Sequence, residues 1–264
     1  MSMNLLKRWL PGILIIGIGL AMLYHGPIAQ LPHYHEFADV RALAGIPHAA
    51  DVLSNAGFML VGLWGLQRIG RSRSHFSNDT ARASYLAFMV ALALTAIGSG
   101  YYHLHPDNDR LLWDRLPIAL ACASLLSGAY AETHERSPTW LLPILLAIAI
   151  FSVAWWYVTD AASIGDLRPY LLLQGAPLIL IPLWQWAAGA SRRRRFSFGI
   201  AILLYVLAKV CEIHDHDLFR MFGAISGHTL KHLLATTASA VLAAEWLGSQ
   251  GLLKNTRVRC AQSE

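Results

Sequence analysis

The sequence predicts an all-α protein: a polytopic membrane helical bundle with a seven-helix core and one additional N-terminal helix. Three observations lead there. The chain is 55% apolar and only 14% charged, with a mean hydropathy of +0.43, whereas soluble domains run at about 45–50% apolar and about 25% charged. Eight stretches approach the roughly 20 mostly apolar residues that a helix needs to cross a bilayer: 9–27, 50–69, 83–104, 111–132, 139–158, 169–188, 197–213 and 227–247. Threading these spans then distributes the 21 Lys and Arg residues unevenly between two faces.

The first stretch, "WLPGILIIGIGLAMLY", follows Lys7 and Arg8, a pattern shared by signal peptides and membrane anchors. No small-x-small cleavage site follows it, so residues 1–30 are expected to be a retained helix. The second stretch opens on Ser54 and Asn55, residues suited to capping and to interhelical hydrogen bonds. The third ends on Ser99 and His103, and the short turn "HPDNDRLL" leads to Asp114 at the start of the fourth. Such a turn makes the third and fourth spans antiparallel neighbours. In the fifth and sixth, "WLLP" and "RPYLLL" read as interfacial anchors and helix starts. "SRRRRF", residues 191–196, reads as a loop before the seventh span, and "KVCEIHDHDLF" as that span's end. Residues 31–250 thus form the core, and 251–264 a cytoplasmic tail.

By the positive-inside rule the arginine loop is cytoplasmic. That choice places 14 of the 21 basic residues inside, namely Lys7, Arg8, Arg68, Arg71, Arg73, Arg82, Arg136, Arg192 to Arg195, Lys254, Arg257 and Arg259. Arg41, Arg110, Arg115, Arg168 and Arg220 fall outside, and Lys209 and Lys231 within helices. Both termini come out cytoplasmic. The basic pI of about 9.3 therefore reflects membrane orientation, with anionic headgroups a plausible partner of the arginine run, and nucleic acid is not an expected partner. Cys122, Cys211 and Cys260 form no CxxC pair, so neither a zinc ribbon nor a disulfide framework is implied.

The same threading puts ten of the 12 histidines on the outer side, leaving His75 and His134 inside. His25, His33, His35 and His48 read as ordinary loop polarity. Ionisable groups at membrane depth are functional candidates by default. Ser99 with His103, and His228 with His232, are each four apart, which puts both members of a pair on one helix face. With Asp114 they converge on one level from three distant segments. Three neutral imidazoles suit zinc, and a catalytic zinc keeps a fourth position for water. A carboxylate such as Asp114 is placed to take a proton from that water, and the Ser99 hydroxyl to hydrogen-bond the water or the oxyanion formed on attack.

The segment "GSGYYHLHPDNDRLLWDRLPIA" resembles that of alkaline ceramidases, in which a serine precedes a histidine by four and an aspartate follows it by eleven, ahead of Leu-Pro. "SGHTLKHLLA" resembles their last-helix histidine pair, and "DVLSNAGFMLVG" the start of their first core helix. The set spans residues 51–234 and points to the wider group of seven-helix membrane hydrolases that includes adiponectin-type receptors and haemolysin III-like proteins. The resemblance implies a zinc amidase acting on a ceramide-like N-acyl lipid, releasing a fatty acid and a sphingoid-type amine. His103, His228 and His232 would be ligands, Asp114 would act on the zinc-bound water, and Ser99 would assist. Eukaryotic relatives carry an acidic calcium site before the first core helix; here Glu36, Asp39 and Asp51 do not match its spacing, and no calcium site is expected. Compact length and short loops suggest a bacterial inner-membrane protein with its active site toward the periplasm, where the acyl-amide substrate need not be ceramide.

Further polar residues have structural and functional readings. Lys209 and Glu212, three apart, can pair with each other. Glu212 or Asp215 can instead orient His228 or His232 through the ring nitrogen not on the metal. Lys231 lies between the two histidines and is expected on a different face, with Glu212 or Glu245 as partner. Two other functions compete: a haem-binding membrane electron carrier, and a receptor or transporter holding a structural metal. Neither gives Asp114 and Ser99 a role.

Overall fold

The computed structural model describes residues 3–71, 76 and 78–261. Arg73 and His75 lie outside the described residues, as do the side chains of Arg8, Lys254, Arg257, Arg259 and Cys260. The elements are α1 (Met3–His25), α2 (Ala49–Ser54), α3 (Ala56–Arg71), α4 (Asp79–Leu104), α5 (Asn108–Thr133), α6 (Leu141–Ala161), α7 (Arg168–Ala187), α8 (Arg192–Ile213), α9 (Asp215–Phe222) and α10 (Gly227–Ala261). The protein is an all-α bundle, with no strand among the described residues.

Each of the eight expected stretches falls on a long helix, the second being α2 and α3 joined through Asn55. Among the described residues, six spans are long and apolar enough to cross a membrane: Ala49–Arg71, Asp79–Leu104, Asn108–Thr133, Leu141–Ala161, Arg168–Ala187 and Arg192–Ile213. The chain is an integral membrane protein. The apolar part of α1 is the shorter Trp9–His25, and α10 carries His228, Lys231, His232 and Glu245 along its length.

Several boundaries differ from the sequence reading. The arginine run is not a loop: Arg192 begins α8, whose N-cap Ser191 accepts from the Arg194 N–H at 3.3 Å. There Arg194 lies 3.3 Å from Glu132 of α5 and 3.9 Å from Glu245 of α10, tying three helices at that end. Helix α5 starts earlier than expected, because Asp107 caps it by accepting from Arg110 N–H at 2.7 Å. Asp114 therefore sits nearly two turns inside the helix rather than at its start. Arg115, placed on the outer side, is buried in the same helix. The seventh span ends at Ile213, and Asp215–Phe222 form a separate short helix.

Close packing of α4 on α5 follows from the short turn at 105–107 and from one glycine. A Cβ on Gly98 would fall on the Trp113 carbonyl, whereas one on Gly100 would meet open space. Small residues let membrane helices approach in this way. Gly62 plays the same part between α3 and α4, where a Cβ would lie 2.7 Å from the Met89 carbonyl.

The connection between α1 and α2, residues 26–48, is fastened to the histidine-bearing end of the bundle. The Leu167 N–H donates to the Ile28 carbonyl at 2.8 Å, His35 contacts the Tyr102 hydroxyl and Asn108 Oδ1, each at 2.9 Å, and the Ala38 N–H donates to Asp215 at 2.9 Å. Arg41 grips Asp39 in a forked pair and donates to the carbonyls of Gly223 and Ala224. That guanidinium holds the Asp39 carboxyl below the usual carboxylate range, and Arg168 does the same for Asp166 at the start of α7. His35 and His48 are thus structural loop residues, while His33 pairs with Glu36 on the surface.

The packing argument has a direct consequence. Gly98→Ala should lower stability by about 1–3 kcal/mol, the usual effect of overfilling a tight contact, and Gly100→Ala should be neutral or slightly stabilising, since alanine favours helix. Thermal unfolding in detergent compares them; equal midpoints would remove Gly98 from the α4–α5 contact.

Candidate metal centre

His103 ends α4, and His228 and His232 occupy the first two turns of α10. All three are at most 5% exposed, and each offers a ligand nitrogen within 4.8 Å of the other two. The Nε2 atoms of His103 and His228 are 3.2 Å apart. Two nitrogens on one tetrahedral zinc, each at about 2.0–2.1 Å, stand roughly 3.3 Å apart, so this spacing fits a shared ion. The Nδ1 atom of His232 lies 2.8 Å from Ser54 Oγ, and that hydroxyl donates onward to the Asp51 carbonyl at 3.0 Å. This chain fixes the His232 ring with Nδ1 engaged and Nε2 free. A hydrogen bond to the far nitrogen is how metal-binding imidazoles are commonly oriented.

Backbone packing sets where α10 begins. A Cβ on Gly227 would collide with the Cys211 carbonyl and stand 2.7 Å from the Asp215 Cα, so only glycine admits this approach. The Asp215 carboxylate then accepts from the His228 N–H at 2.7 Å. Ser226 Oγ accepts from the Thr229 N–H at 2.9 Å, and Thr229 Oγ1 donates to Asp51 at 2.6 Å. Asp51, at the start of α2, thereby clamps α2 to α10, which keeps Ser54 against His232.

Asp114 and Ser99 sit beside this cluster. Both are buried, and Ser99 is close enough for its hydroxyl to hydrogen-bond the Asp114 carboxylate. Ser99, Asp114, His228 and His232 line one wall of a cavity of about 790 Å3, within the roughly 300–1,000 Å3 of small-molecule sites. Away from that wall the lining is apolar, with Phe88, Leu125, Pro177, Phe198 and Leu242. The arrangement can hold a cation and an apolar chain side by side.

Glu212 makes the pairs expected of it, lying between two ammonium groups, 2.7 Å from Lys209 and 2.7 Å from Lys231, and its alternative role of orienting a histidine ring has no hydrogen bond behind it among the described residues. Other expected roles are corrected. Asp215 supports His228 through the backbone N–H, not through the ring. Lys231 does not project away from the histidines. It follows His228 by three, about 60° round the helix, and its Nζ lies 3.3 Å from His228 Nε2. Asn55 donates to the Asp51 carbonyl at 2.8 Å and packs the break between α2 and α3. Ser54 makes the interhelical hydrogen bond expected of it, and its partner is His232. Of the acidic residues considered for calcium, Glu36 faces His33, Asp39 faces Arg41, and Asp51 faces Ser226 and Thr229.

One contributor carries no sequence signal. Phe37, from the 26–48 connection, lies edge-on to His103 and His228 with ring centroids 4.7 and 4.4 Å away. It seals the histidines from the loop side. No family model matches the chain.

If the three histidines hold a metal, protein purified without chelators should carry about one zinc per chain by elemental analysis, and His103→Ala and His228→Ala should each lose it. Ser54→Ala should keep zinc but release it to a competing chelator about 10–100-fold more readily, the usual effect of removing an outer hydrogen bond. Stoichiometric zinc in His228→Ala would take that residue out of the centre.

Proposed function

We propose that the protein is a zinc-dependent membrane hydrolase that cleaves the amide bond of a ceramide-like N-acyl lipid, as the resemblance to alkaline ceramidases implies. The observation that carries this reading is a cluster of three buried imidazoles, two of which, His228 and His232, share the wall of a largely apolar cavity with Asp114 and Ser99. Three convergent nitrogens leave no room for a porphyrin between any two of them, which disfavours the haem alternative. A closed structural metal would have no use for a carboxylate and a hydroxyl on the cavity side.

His103, His228 and His232 would hold the ion through neutral nitrogens. Zinc, when bound, supplies Lewis acidity toward a carbonyl and toward water. The chain's own residues then have separable tasks. Asp114 accepts the proton of the attacking water and returns it to the leaving amine. Ser99 donates toward the Asp114 carboxylate or the oxyanion, and so fixes where the proton goes. The apolar lining takes the acyl chain and keeps bulk water from the amide, while Ser54 holds the His232 ring and Asp215 holds the His228 backbone. In this reading the His-bearing end faces the periplasm of a bacterial inner membrane and both termini are cytoplasmic.

Asp114→Asn should retain zinc and reduce hydrolysis of an N-acyl lipid such as N-lauroylsphingosine by about 10²–10⁴-fold, the range for losing a positioned acid–base. Full activity in that variant would end the role given to Asp114. Orientation is separately testable in cells: a cysteine placed at position 107 should react with an impermeant maleimide from the periplasmic side, and labelling from the cytoplasm alone would invert the topology.

A further inference from the structure

Arg115 stands next to the reacting groups in a setting that the hydrolase mechanism does not use. Its side chain is 4% exposed and lines the same cavity as Asp114 and Ser99. Three rings from three parts of the chain surround the guanidinium: Trp156 of α6 at 4.0 Å, Tyr34 of the 26–48 connection at 5.2 Å, and Tyr170 of α7 at 5.5 Å. Nη1 is buried and has no hydrogen-bond partner among the described residues.

The other charges on the cavity wall are accounted for. Lys209 and Lys231 share Glu212. Asp215 spends its two oxygens on the backbone N–H groups of Ala38 and His228. Asp114 faces Ser99. Of the cations lining the cavity, Arg115 alone has no carboxylate oxygen within 4.0 Å among the described residues. A guanidinium removed from water without a counter-ion is strongly unfavourable, and cation–π contacts offset only part of that. Asp114 is within electrostatic reach of Arg115 but makes no direct pair with it, so an anion entering the cavity would supply the contact that Arg115 Nη1 lacks.

Resting on the hydrolase reading, we propose that Arg115 binds a carboxylate on the amine side of the scissile amide, so that the preferred substrate is an N-acyl amino acid type of lipid rather than a neutral one. Asp114 and Arg115 line the same cavity, so an anion held by Arg115 would share that space with an amide presented to Asp114. A planar, weakly hydrated carboxylate matches the guanidinium fork and fits between flat rings better than a tetrahedral, more strongly hydrated phosphate. The aromatic cage holds the fork rigid, which lowers the ordering entropy on binding.

The test compares N-lauroylglycine, neutral N-lauroylethanolamine and lauric acid on the full-length, zinc-loaded protein in detergent. Binding is read by competition with a fluorescent fatty-acyl probe, and turnover is followed separately. The wild type should bind N-lauroylglycine at least about tenfold more tightly than N-lauroylethanolamine, as expected for one hydrogen-bonded charge pair. Arg115→Gln should erase that preference through weaker binding of the anionic amide alone, and Arg115→Lys should keep part of it. Equal wild-type affinities would overturn the proposal without any variant, as would a preference that survives in Arg115→Gln. Lauric acid binding as tightly as N-lauroylglycine would also overturn it, because the site would then be reading a fatty-acid end. An Arg115-dependent preference without hydrolysis of either amide would sustain the anion site and defeat the hydrolase reading. Hydrolysis of both amides at equal efficiency and affinity would do the reverse.

Discussion

The structure depends on how polar groups are accommodated inside an apolar bundle. Each ionisable side chain at membrane depth adds a few kcal/mol of insertion penalty unless it finds partners, and this protein puts three imidazoles, four carboxylates (Asp51, Asp114, Glu212 and Asp215) and three cations (Arg115, Lys209 and Lys231) at one end. Compensation there is local and mostly pairwise. Glu212 answers Lys209 and Lys231, Asp51 takes hydroxyls from Ser226 and Thr229, and Asp215 takes two backbone donors. The His103 and His228 nitrogens answer each other at 3.2 Å, an arrangement that needs one shared proton or one shared cation. Among the described residues at this end, Asp51 Oδ2, Asn55 Oδ1, His103 Nδ1 and Arg115 Nη1 stay buried without a hydrogen-bond partner, and of their residues only Arg115 lines the cavity.

The backbone makes such pairing possible. Gly98 brings α5 against α4, and Gly227 lets the start of α10 slide under α8 and α9. Neither contact concerns chemistry, yet each sets the separation of groups that must act together. The Asp51 clamp fixes α2 on α10, and the 26–48 connection closes the end through Phe37, His35 and Arg41. A helix displaced by one turn, about 5.4 Å, would take His232 out of reach of Ser54, and the ring would be free to rotate.

Much of this was legible in the sequence, for a physical reason. Helical periodicity fixes which residues share a face, so Ser99 with His103 and His228 with His232 could be paired from spacing, and a short turn forced α4 and α5 together. Depth followed from hydropathy. What spacing cannot convey is how far a side chain reaches or where a loop folds back. Lys231 was expected elsewhere because its backbone points away, but a four-carbon stem brings its ammonium to His228. The threading places Arg115 on the outer side, at the edge of the 111–132 stretch, and gives no sign of its burial; the ring cage that accepts it comes from residues 34, 156 and 170. Phe37 has no periodic signal at all. Hydropathy places the end of the seventh span at residue 213, where α8 ends, but not the short helix Asp215–Phe222 that follows, because "HDHDLF" reads equally as a helix end or a loop.

A gradient of polarity along the cavity links these features. At the histidine-bearing end the lining is charged and hydrogen-bonded; beyond Ser99 and Asp114 it turns to Phe88, Leu125, Phe198 and Leu242. An amphipathic molecule entering such a space has one favourable orientation, with its apolar chain against the hydrocarbon lining and its polar group among the imidazoles and Arg115. Reversal would bury the polar group among groups that cannot hydrogen-bond, an unfavourable exchange of about 2–7 kcal/mol for an amide or hydroxyl. The cavity therefore orders a ligand before any specific contact forms, and the junction of the two linings is where Ser99 and Asp114 stand. In the hydrolase reading, that junction is where the bond between a polar head and an apolar tail would lie.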